Sequence, residues 1–380
     1  MKIVHVSGGA HVHGIQQYVL TVAAGQRARG DDVLVIADQP GEFFDACKEH
    51  DIPVIIEEYL ERDPPEPPVQ RVEERLASTF KDFGAGVVHC HTRRAALKSI
   101  PVANRLGIPC VYTHHVAPVE GLLAARQAGL KFATISLARA DYEKLQEIGL
   151  PEDEVYYVPN GTKIMPREEH QSDRVDLLFV GRLEHVKGID VAILVMAEMR
   201  RRHGAECPVL NVYGDGTLEG YAREMVSVLC LGDIVRFHGA RMGILEDCPS
   251  TDILVMPSRS EAGPLVVLEA MSRGMAIAAS DVGEVGEMIP DQQYGRVSPV
   301  ESIIGLADAV DSLLSDINTG KFDPDLLIAR HREVYSEDKM VENIDMVYGQ
   351  LSLDPPVECR VRRLLALVST RCFRACLCCR

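Results

Sequence analysis

The chain has 380 residues, 46% of them hydrophobic and 25% charged, and its formal net charge is −16. That length suits two domains of ordinary size, each with its own core. The acidic balance argues against a nucleic-acid partner, because nucleic-acid-binding surfaces are basic. No apolar run is long enough to span a bilayer, and the N-terminus lacks a signal-peptide layout. We therefore expect a cytoplasmic protein.

The first half of the sequence alternates short apolar runs with longer amphipathic stretches. The apolar runs predict strands at residues 2–7, 33–37, 53–56, 87–89, 110–113, 132–134 and 155–158. The stretches between them predict helices at residues 15–29, 42–49, 69–83, 93–106, 122–128 and 137–148. Short apolar strands between such helices indicate a parallel sheet covered on both faces. We predict an N-terminal Rossmann-like domain over residues 1–162.

A polar stretch without apolar periodicity follows, and we predict an interdomain linker at residues 163–175. The alternation then restarts, with strands predicted at residues 176–181, 209–213, 235–238, 253–256 and 276–280. Helices are predicted at residues 189–202, 218–230, 244–246, 264–273, 303–314 and 324–334. This pattern predicts a second Rossmann-like domain over residues 176–335, and the fold class is α/β with two doubly wound parallel sheets. A further helix over residues 336–351 precedes a basic, Cys-rich tail at residues 352–380.

Two glutamates stand on either side of a Gly-Pro break in the second domain. Glu261 follows a predicted buried strand, and Glu269 lies in the helix that begins near Pro264. Loop amides and a helix start at the carboxyl end of a strand suit a diphosphate. Carboxylates beside such a site suit the hydroxyls of a sugar or ribose. The segment therefore predicts a nucleotide-sugar site.

A second segment of the same domain carries two cations in a loop that opens a helix. Arg182 and Lys187 stand five residues apart, between Gly181 and Gly188. Glycines allow close backbone approach, and two cations can neutralise a diphosphate as it leaves. The loop predicts a site for the phosphates of the donor.

The two segments resemble the E-x7-E and G-R-x4-K-G motifs of retaining glycosyltransferases with the GT-B fold, the large family 4. The resemblance covers about residues 1–350 and implies two domains facing a cleft, with a C-terminal helix that crosses back to the first domain. It implies sugar transfer from a nucleotide sugar to an acceptor hydroxyl with retention of configuration, without a cofactor or metal. A UDP-sugar is the favoured donor and a GDP-sugar the alternative. The acceptor would be a small molecule, a saccharide or a lipid-linked molecule.

The resemblance also implies roles for single residues. Arg182 and Lys187 would hold the diphosphate, Glu261 the transferred sugar and Glu269 the ribose. The catalytic set would be completed by His115, which matches the strand-end histidine near the transferred sugar in the family. The remaining donor-binding candidates are Gly14, Gly214, Arg241, Gly263, Pro264 and Leu265, and the secondary candidates are His91 and Asn160.

Three features leave alternatives open. The family usually has Gly-Gly before the first helix, where this chain has His13-Gly14. The chain also departs from the family's pattern at Thr162-Lys163. These two departures leave a non-catalytic sugar-nucleotide-binding protein as an alternative. A GT-B sugar-nucleotide epimerase is the other alternative. A zinc site is the alternative for the paired histidines at positions 89, 91, 114 and 115, although no carboxylate or Cys completes it at a recognisable spacing.

Smaller features complete the expectations. Asp323-Pro324-Asp325 predicts a helix N-cap rather than a metal site. The six cysteines of the body are expected to be small core residues: Cys47, Cys90, Cys110, Cys207, Cys230 and Cys248. The tail at 352–380 carries six Arg against two acidic residues, which fits either a helix peripheral at the membrane or an extension without a function.

Overall fold

The computed structural model describes residues 1–12, 14–61, 69–115, 120–166, 174–241, 243–248 and 252–353. Its strands are β1 Lys2–Val6, β2 Asp32–Ala37, β3 Val54–Ile56, β4 Val87–Cys90, β5 Cys110–His114, β6 Ala133–Ser136, β7 Val155–Tyr157, β8 Leu177–Val180, β9 Leu210–Tyr213, β10 Val235–Gly239, β11 Ile253–Met256, β12 Ala276–Ser280 and β13 Arg296–Ser298. Its helices are α1 Gly14–Ala28, α2 Glu42–Glu49, α3 Val69–Phe83, α4 Arg93–Arg105, α5 Glu120–Gln127, α6 Arg139–Glu147, α7 Ile189–His203, α8 Glu219–Val228, α9 Ile244–Asp247, α10 Leu265–Ser272, α11 Val285–Met288, α12 Ile303–Asn318, α13 Pro324–Arg330 and α14 Glu337–Leu353.

Two parallel sheets organise these elements, as the alternating sequence pattern predicts. The first has the strand order β3-β2-β1-β4-β5-β6-β7, and the second β10-β9-β8-β11-β12-β13. In each sheet the second and third strands lie on one side of the first strand, and the later strands lie on its other side. The order therefore reverses between β1 and β4 and between β8 and β11, and ligands of open α/β sheets bind at such points. The prediction of two doubly wound α/β sheets is confirmed.

The core of the second sheet explains its continuous apolar strands. Leu177 and Phe179 of β8 pack into one buried cluster with α7 and α12, whereas Leu178 packs into another with α10. Successive side chains of a strand point to opposite faces, so a strand covered on both faces is apolar at every position. Period-two alternation is absent from β8 and β11 for this reason.

Several predicted boundaries differ from the observed ones. β13 and α11 were missed, because β13 has only three residues, with Val297 exposed, and α11 is a single turn. The predicted helix at 324–334 is α-helical to Arg330 and continues as a π-helix, His331–Tyr335. The expectation that Cys230 is a core residue was wrong: it is exposed, at a φ of 56° just after α8, where the chain turns and Leu231 becomes buried instead. The other five of the six cysteines of the body are buried.

Contacts between Cα atoms divide the chain into two compact units. One contains residues 1–135 and the chain from Glu342 onward, and the other contains Ser136–Val341. The predicted tail at 352–380 falls almost wholly outside the described residues, which end at 353. Within the described ranges, no helix combines the length and the apolar character that a bilayer span requires.

Candidate active site

The loop after β8 packs directly against the end of β11. It contains a 3-10 turn, His185–Lys187, and ends at Gly188, whose φ of 71° makes it a left-handed N-cap for α7. A Cβ at this position would overlap the carbonyl oxygen of Pro257, the residue after β11. Glycine is therefore required here for both conformation and space. The close approach brings the two predicted donor-binding segments together at the reversal point of the second sheet.

Lys187 and Glu261 form an ion pair at this point. The Lys187 Nζ lies 2.6 Å from the Glu261 Oε1, with the side chains 25% and 11% exposed. Ser258 donates its hydroxyl to the same oxygen at 2.8 Å. Phe179, Val180, Val255, Met256 and Val266 line a small pocket with these three side chains. An anion that entered this pocket would meet the only charged nitrogen among its lining residues, Lys187.

Arg259 stabilises the loop that carries Lys187 through hydrogen bonds. Its guanidinium binds both carboxylate oxygens of Asp190 at 2.9 and 2.7 Å and donates to the His185 carbonyl at 2.7 Å. Its Nε donates to Glu301 at 2.6 Å, and its backbone N–H donates to the Val186 carbonyl. Bidentate guanidinium–carboxylate pairs hold geometry as well as charge. The bonds from Arg259 to Asp190, His185 and Val186 thus hold the turn around Lys187 in position.

The loop between Glu261 and α10 is held by its backbone. Helix α10 begins at Leu265 with Pro264 as its N-cap residue, one residue later than predicted, and no side chain caps it. Asn160 donates its amide to the Gly263 carbonyl at 2.9 Å, and the Glu284 N–H donates to the Ala262 carbonyl at 2.9 Å. Glu269 is half-buried in the second turn of α10. Among the described residues, Pro264 makes no side-chain bond to the start of α10, and amides left in this way suit an anion.

Glu284 is a fully buried carboxyl beside this loop. It accepts hydrogen bonds from the Arg139 backbone N–H at 2.6 Å and from the Tyr157 hydroxyl. Burial raises the pKa of Glu284 to about 7. The carboxyl therefore ties the residues at the start of α6 and in β7 to the turn that supports Glu261.

We expect the stability contributed by Glu284 to fall as the pH rises. The folded protein keeps a proton on Glu284 that the unfolded chain releases near pH 4.5, so the folded state binds more protons between about pH 4.5 and 7. The free energy of unfolding of the wild type relative to Glu284→Gln should therefore decrease by about 3 kcal/mol across that range. Urea unfolding of both proteins at several pH values measures the difference. A difference independent of pH would contradict the assigned pKa.

A neighbouring glycine-rich turn completes this side of the site. Gly214 follows β9, and a Cβ there would overlap the carbonyl oxygen of Gly181. Leu183 donates its N–H to the Asp215 carbonyl at 2.7 Å, which joins the two loops. Arg182 is exposed on the loop after β8, and Arg241 is exposed on the loop after β10. The structure thus places Gly214 beside the Arg182–Lys187 loop.

The first unit contains a cluster of buried histidines in and after adjacent strands. His91 directly follows β4, and His115 directly follows β5. His5, His89 and His91 have ring nitrogens within 4.8 Å of one another, so the structure groups His5 with His89 and His91 where the sequence grouped His89, His91, His114 and His115. Both nitrogens of His5 and both of His89 already bond to protein groups, which a metal ion would have to displace. Burial lowers the pKa of His5 to about 4 and of His115 to about 3, so these rings are neutral at pH 7.

Two further predictions concern Asp323 and Gly14. Asp323 is the N-cap of α13, accepting from the Asp325 N–H at 3.0 Å with Pro324 in the first turn, so the N-cap prediction is confirmed. Gly14 is exposed as the first residue of α1, and His13 lies outside the described residues.

Sequence models of two glycosyltransferase families match successive parts of the chain. The family described as "Glycosyltransferase Family 4" matches residues 12–164, and "Glycosyl transferases group 1" matches residues 161–321. The structure superimposes on a glycosyltransferase from Rickettsia africae with a TM-score of 0.80, at 16% identity over 93% of this chain and 99% of that one. Together the two glycosyltransferase models cover residues 12–321 of this chain, and its fold is of the GT-B type.

Two other proteins show how similar this chain is to known proteins. Glycogen synthase from Mycobacterium tuberculosis is 26% identical over 259 residues, which are 63% of this chain and 62% of that protein. The match thus spans about three fifths of that relative's length. Anabaena Alr3699/HepE in complex with UDP has a TM-score of 0.78 at 17% identity, over 92% of this chain and 100% of that chain. Likeness to these structures at such identities establishes the fold.

Some residues that shape the candidate site were not predicted from the sequence. Ser258 and Arg259 lie three and two residues before Glu261, and a polar run between a buried strand and a glutamate is a signal that could have identified them. Gly283 and Glu284 follow β12, and only the sheet order brings them beside Ala262. His5 lies within β1, where a histidine in an apolar run indicates a buried polar network.

Proposed function

We propose that this protein transfers a sugar from a nucleotide sugar to an acceptor hydroxyl, with retention of anomeric configuration and without a metal ion. The observation that carries the proposal is the Lys187–Glu261 ion pair beside the uncapped start of α10. A cation, helix-start amides and a carboxylate in one place match the parts of a sugar diphosphate. The UDP complex of a protein with the same fold supports a UDP-sugar donor, with a GDP-sugar as the alternative.

In this proposal the bound donor separates the Lys187–Glu261 ion pair and gives each side chain a new partner. The diphosphate takes the Lys187 ammonium, and Glu261, still bound by Ser258, turns to the hydroxyls of the sugar. Arg182 adds a second cation from the same loop, and Glu269 takes the ribose. Fixed cations aimed at the leaving group stabilise the charge that develops as the glycosidic bond breaks. They supply what a divalent metal supplies in other transferases.

Retention follows if the acceptor hydroxyl attacks from the face that the diphosphate leaves. The C1–O bond to the diphosphate breaks, the acceptor oxygen bonds to C1, and the departing phosphate takes the acceptor's proton. His115, neutral at pH 7, would hydrogen-bond a donor hydroxyl. The acceptor is a small molecule, a saccharide or a lipid-linked molecule. The tail at 352–380 would contact a membrane in the last case.

Donor binding is tested by a thermal-shift screen of UDP-, GDP-, ADP- and dTDP-sugars. Ligand that binds only the folded state raises Tm, by about 5 °C at a concentration of one hundred times Kd. We expect a UDP-sugar to give this shift equally with Mg²⁺ and with EDTA. A shift that requires Mg²⁺ would contradict the metal-independent site, and no shift from any donor would reject the proposal.

Acceptor-dependent nucleotide release separates transfer from the alternatives. A transferase releases free nucleotide when an acceptor is added, whereas an epimerase interconverts the donor without one. A non-catalytic binding protein shows the Tm shift and releases nothing. Product stereochemistry, read by NMR from the anomeric proton coupling, then distinguishes retention from inversion.

A further inference from the structure

A chain of buried hydrogen bonds runs through the first unit from a carboxylate to a histidine. The Gln26 Nε2 donates to the Asp345 Oδ1 at 3.2 Å, and the Gln26 Oε1 bonds the His5 Nε2 at 2.8 Å. The His5 Nδ1 then bonds the His91 Nε2 at 2.9 Å. Gln26 and His5 are 0% exposed and His91 is 1% exposed. We call Asp345, Gln26, His5 and His91 the relay.

The direction of every bond in the relay follows from its first member. At neutral pH the Asp345 carboxylate only accepts, so Gln26 turns its NH₂ toward it and its carbonyl toward His5. His5 must then carry its proton on Nε2 and offer a lone pair at Nδ1. His91 in turn donates from Nε2, and its Nδ1 is left with a lone pair. Burial lowers the pKa of both rings, which agrees with one proton on each.

The last atom of the relay is the Nδ1 of His91, whose lone pair accepts no hydrogen bond from the described residues. Among the described residues, no group bonds the buried Nδ1 of His91, and the buried Nε2 of His115 also lacks a partner. The two rings are neighbours, with centroids 5.9 Å apart, at the carboxyl ends of adjacent strands. A buried polar atom without a partner requires an explanation, and a ligand is one.

We propose that the relay is a positioning device: Asp345, Gln26 and His5 hold His91 as the Nε2–H tautomer, so that its Nδ1 accepts a hydrogen bond from a substrate hydroxyl. The hydroxyl ligand rests on the proposed function, since it requires a sugar substrate. The tautomer does not, because hydrogen-bond geometry alone determines it. Asp345, Gln26 and His5 touch no substrate themselves and act through His91.

The variant Asp345→Asn tests the direction of the relay without changing its shape. An asparagine offers either an oxygen or an NH₂ to Gln26, so Gln26 can reverse, and both tautomers of His5 and His91 become available. The change also removes the ion pair between Asp345 and Arg29. Arg29→Gln is the matched control, because it removes the same ion pair and keeps the carboxylate.

Imidazole nitrogen shifts of ¹⁵N-histidine-labelled protein report the tautomer directly, with His91 assigned from its absence in His91→Asn. We expect wild type and Arg29→Gln to have a protonated Nε2 and a bare Nδ1 on His91, and Asp345→Asn to populate both tautomers. A protonated Nδ1 in the wild type, or an unchanged His91 in Asp345→Asn, would overturn the relay. Zn²⁺ that moved the signals of His5, His89 and His91 together would overturn it in favour of a metal site.

Turnover tests the ligand. We expect Asp345→Asn to lower kcat about tenfold with the donor KM unchanged, the effect of one lost hydrogen bond in the transition state, and Arg29→Gln to stay within about twofold. Equal losses in both variants, or none in either, would reject the hydroxyl contact. If wild type transfers no sugar, the proposed function fails and the hydroxyl ligand with it, while the nitrogen shifts still decide the tautomer.

Discussion

Replacing Lys187 by methionine should lower kcat by about two to three orders of magnitude and leave the protein folded. The ammonium lines the pocket at the reversal point of the second sheet, where it pairs with Glu261. Methionine fills the space of the lysine stem but offers no charge to a departing diphosphate. Initial rates at saturating donor, with circular dichroism to verify the fold, measure the change.

The fold should survive this change because the pair is only partly buried, with side chains 25% and 11% exposed. Glu261 keeps its bond from Ser258, so we expect Lys187→Met to cost about 1 kcal/mol of unfolding free energy. Lys321→Met, at an exposed lysine of the same unit, is the matched control and should keep the wild-type rate. More than a tenth of wild-type turnover in Lys187→Met would show that the ammonium does not stabilise the leaving group.

The substitution Gly283→Ala should reduce both stability and turnover. The residue has a φ of +54°, and a Cβ there would overlap the carbonyl oxygens of Glu261 and Ala262. Left-handed backbone costs an alanine about 1–2 kcal/mol, and the overlap must be relieved by moving the loop that carries Glu261. We expect a total loss of about 3 kcal/mol in urea unfolding and at least a tenfold loss of kcat.

Gly320→Ala separates the backbone cost from the displacement of the loop. Gly320 has a φ of +66°, close to that of Gly283, and nothing lies within 4 Å of the Cβ that would be added. This variant should lose about 1 kcal/mol and keep full turnover. If both variants lose the same stability and neither loses turnover, the contact with Glu261 does not matter to the reaction.

The sequence predicted the doubly wound α/β sheets because their strands are apolar at every position and alternate with helices. It also placed Lys187 and Glu261 separately near the donor. It could not predict that they touch, because 74 residues separate them and their contact depends on β8 lying beside β11. Chain order alone does not determine which strands are neighbours in a sheet.

The relay was hidden from sequence reasoning for a similar reason. His5 and His89 pair in register across β1 and β4, and only that register brings His5 near His91. Asp345 lies 319 residues from Gln26. Histidines at strand ends could be recognised as candidates, but their tautomers depend on contacts that no local pattern encodes.

The bond between His89 and Tyr348, which are 259 residues apart, bears on how the protein is made. Tyr348 is 1% exposed and Ile344 is 0% exposed, and both belong to the same unit as β1. A ribosome delivers residue 348 only after the whole of the second unit has been synthesised. The buried core of the first unit is therefore incomplete, and His89 lacks its Tyr348 partner, until the last described helix emerges. Chaperone demand during translation should be concentrated on that interval.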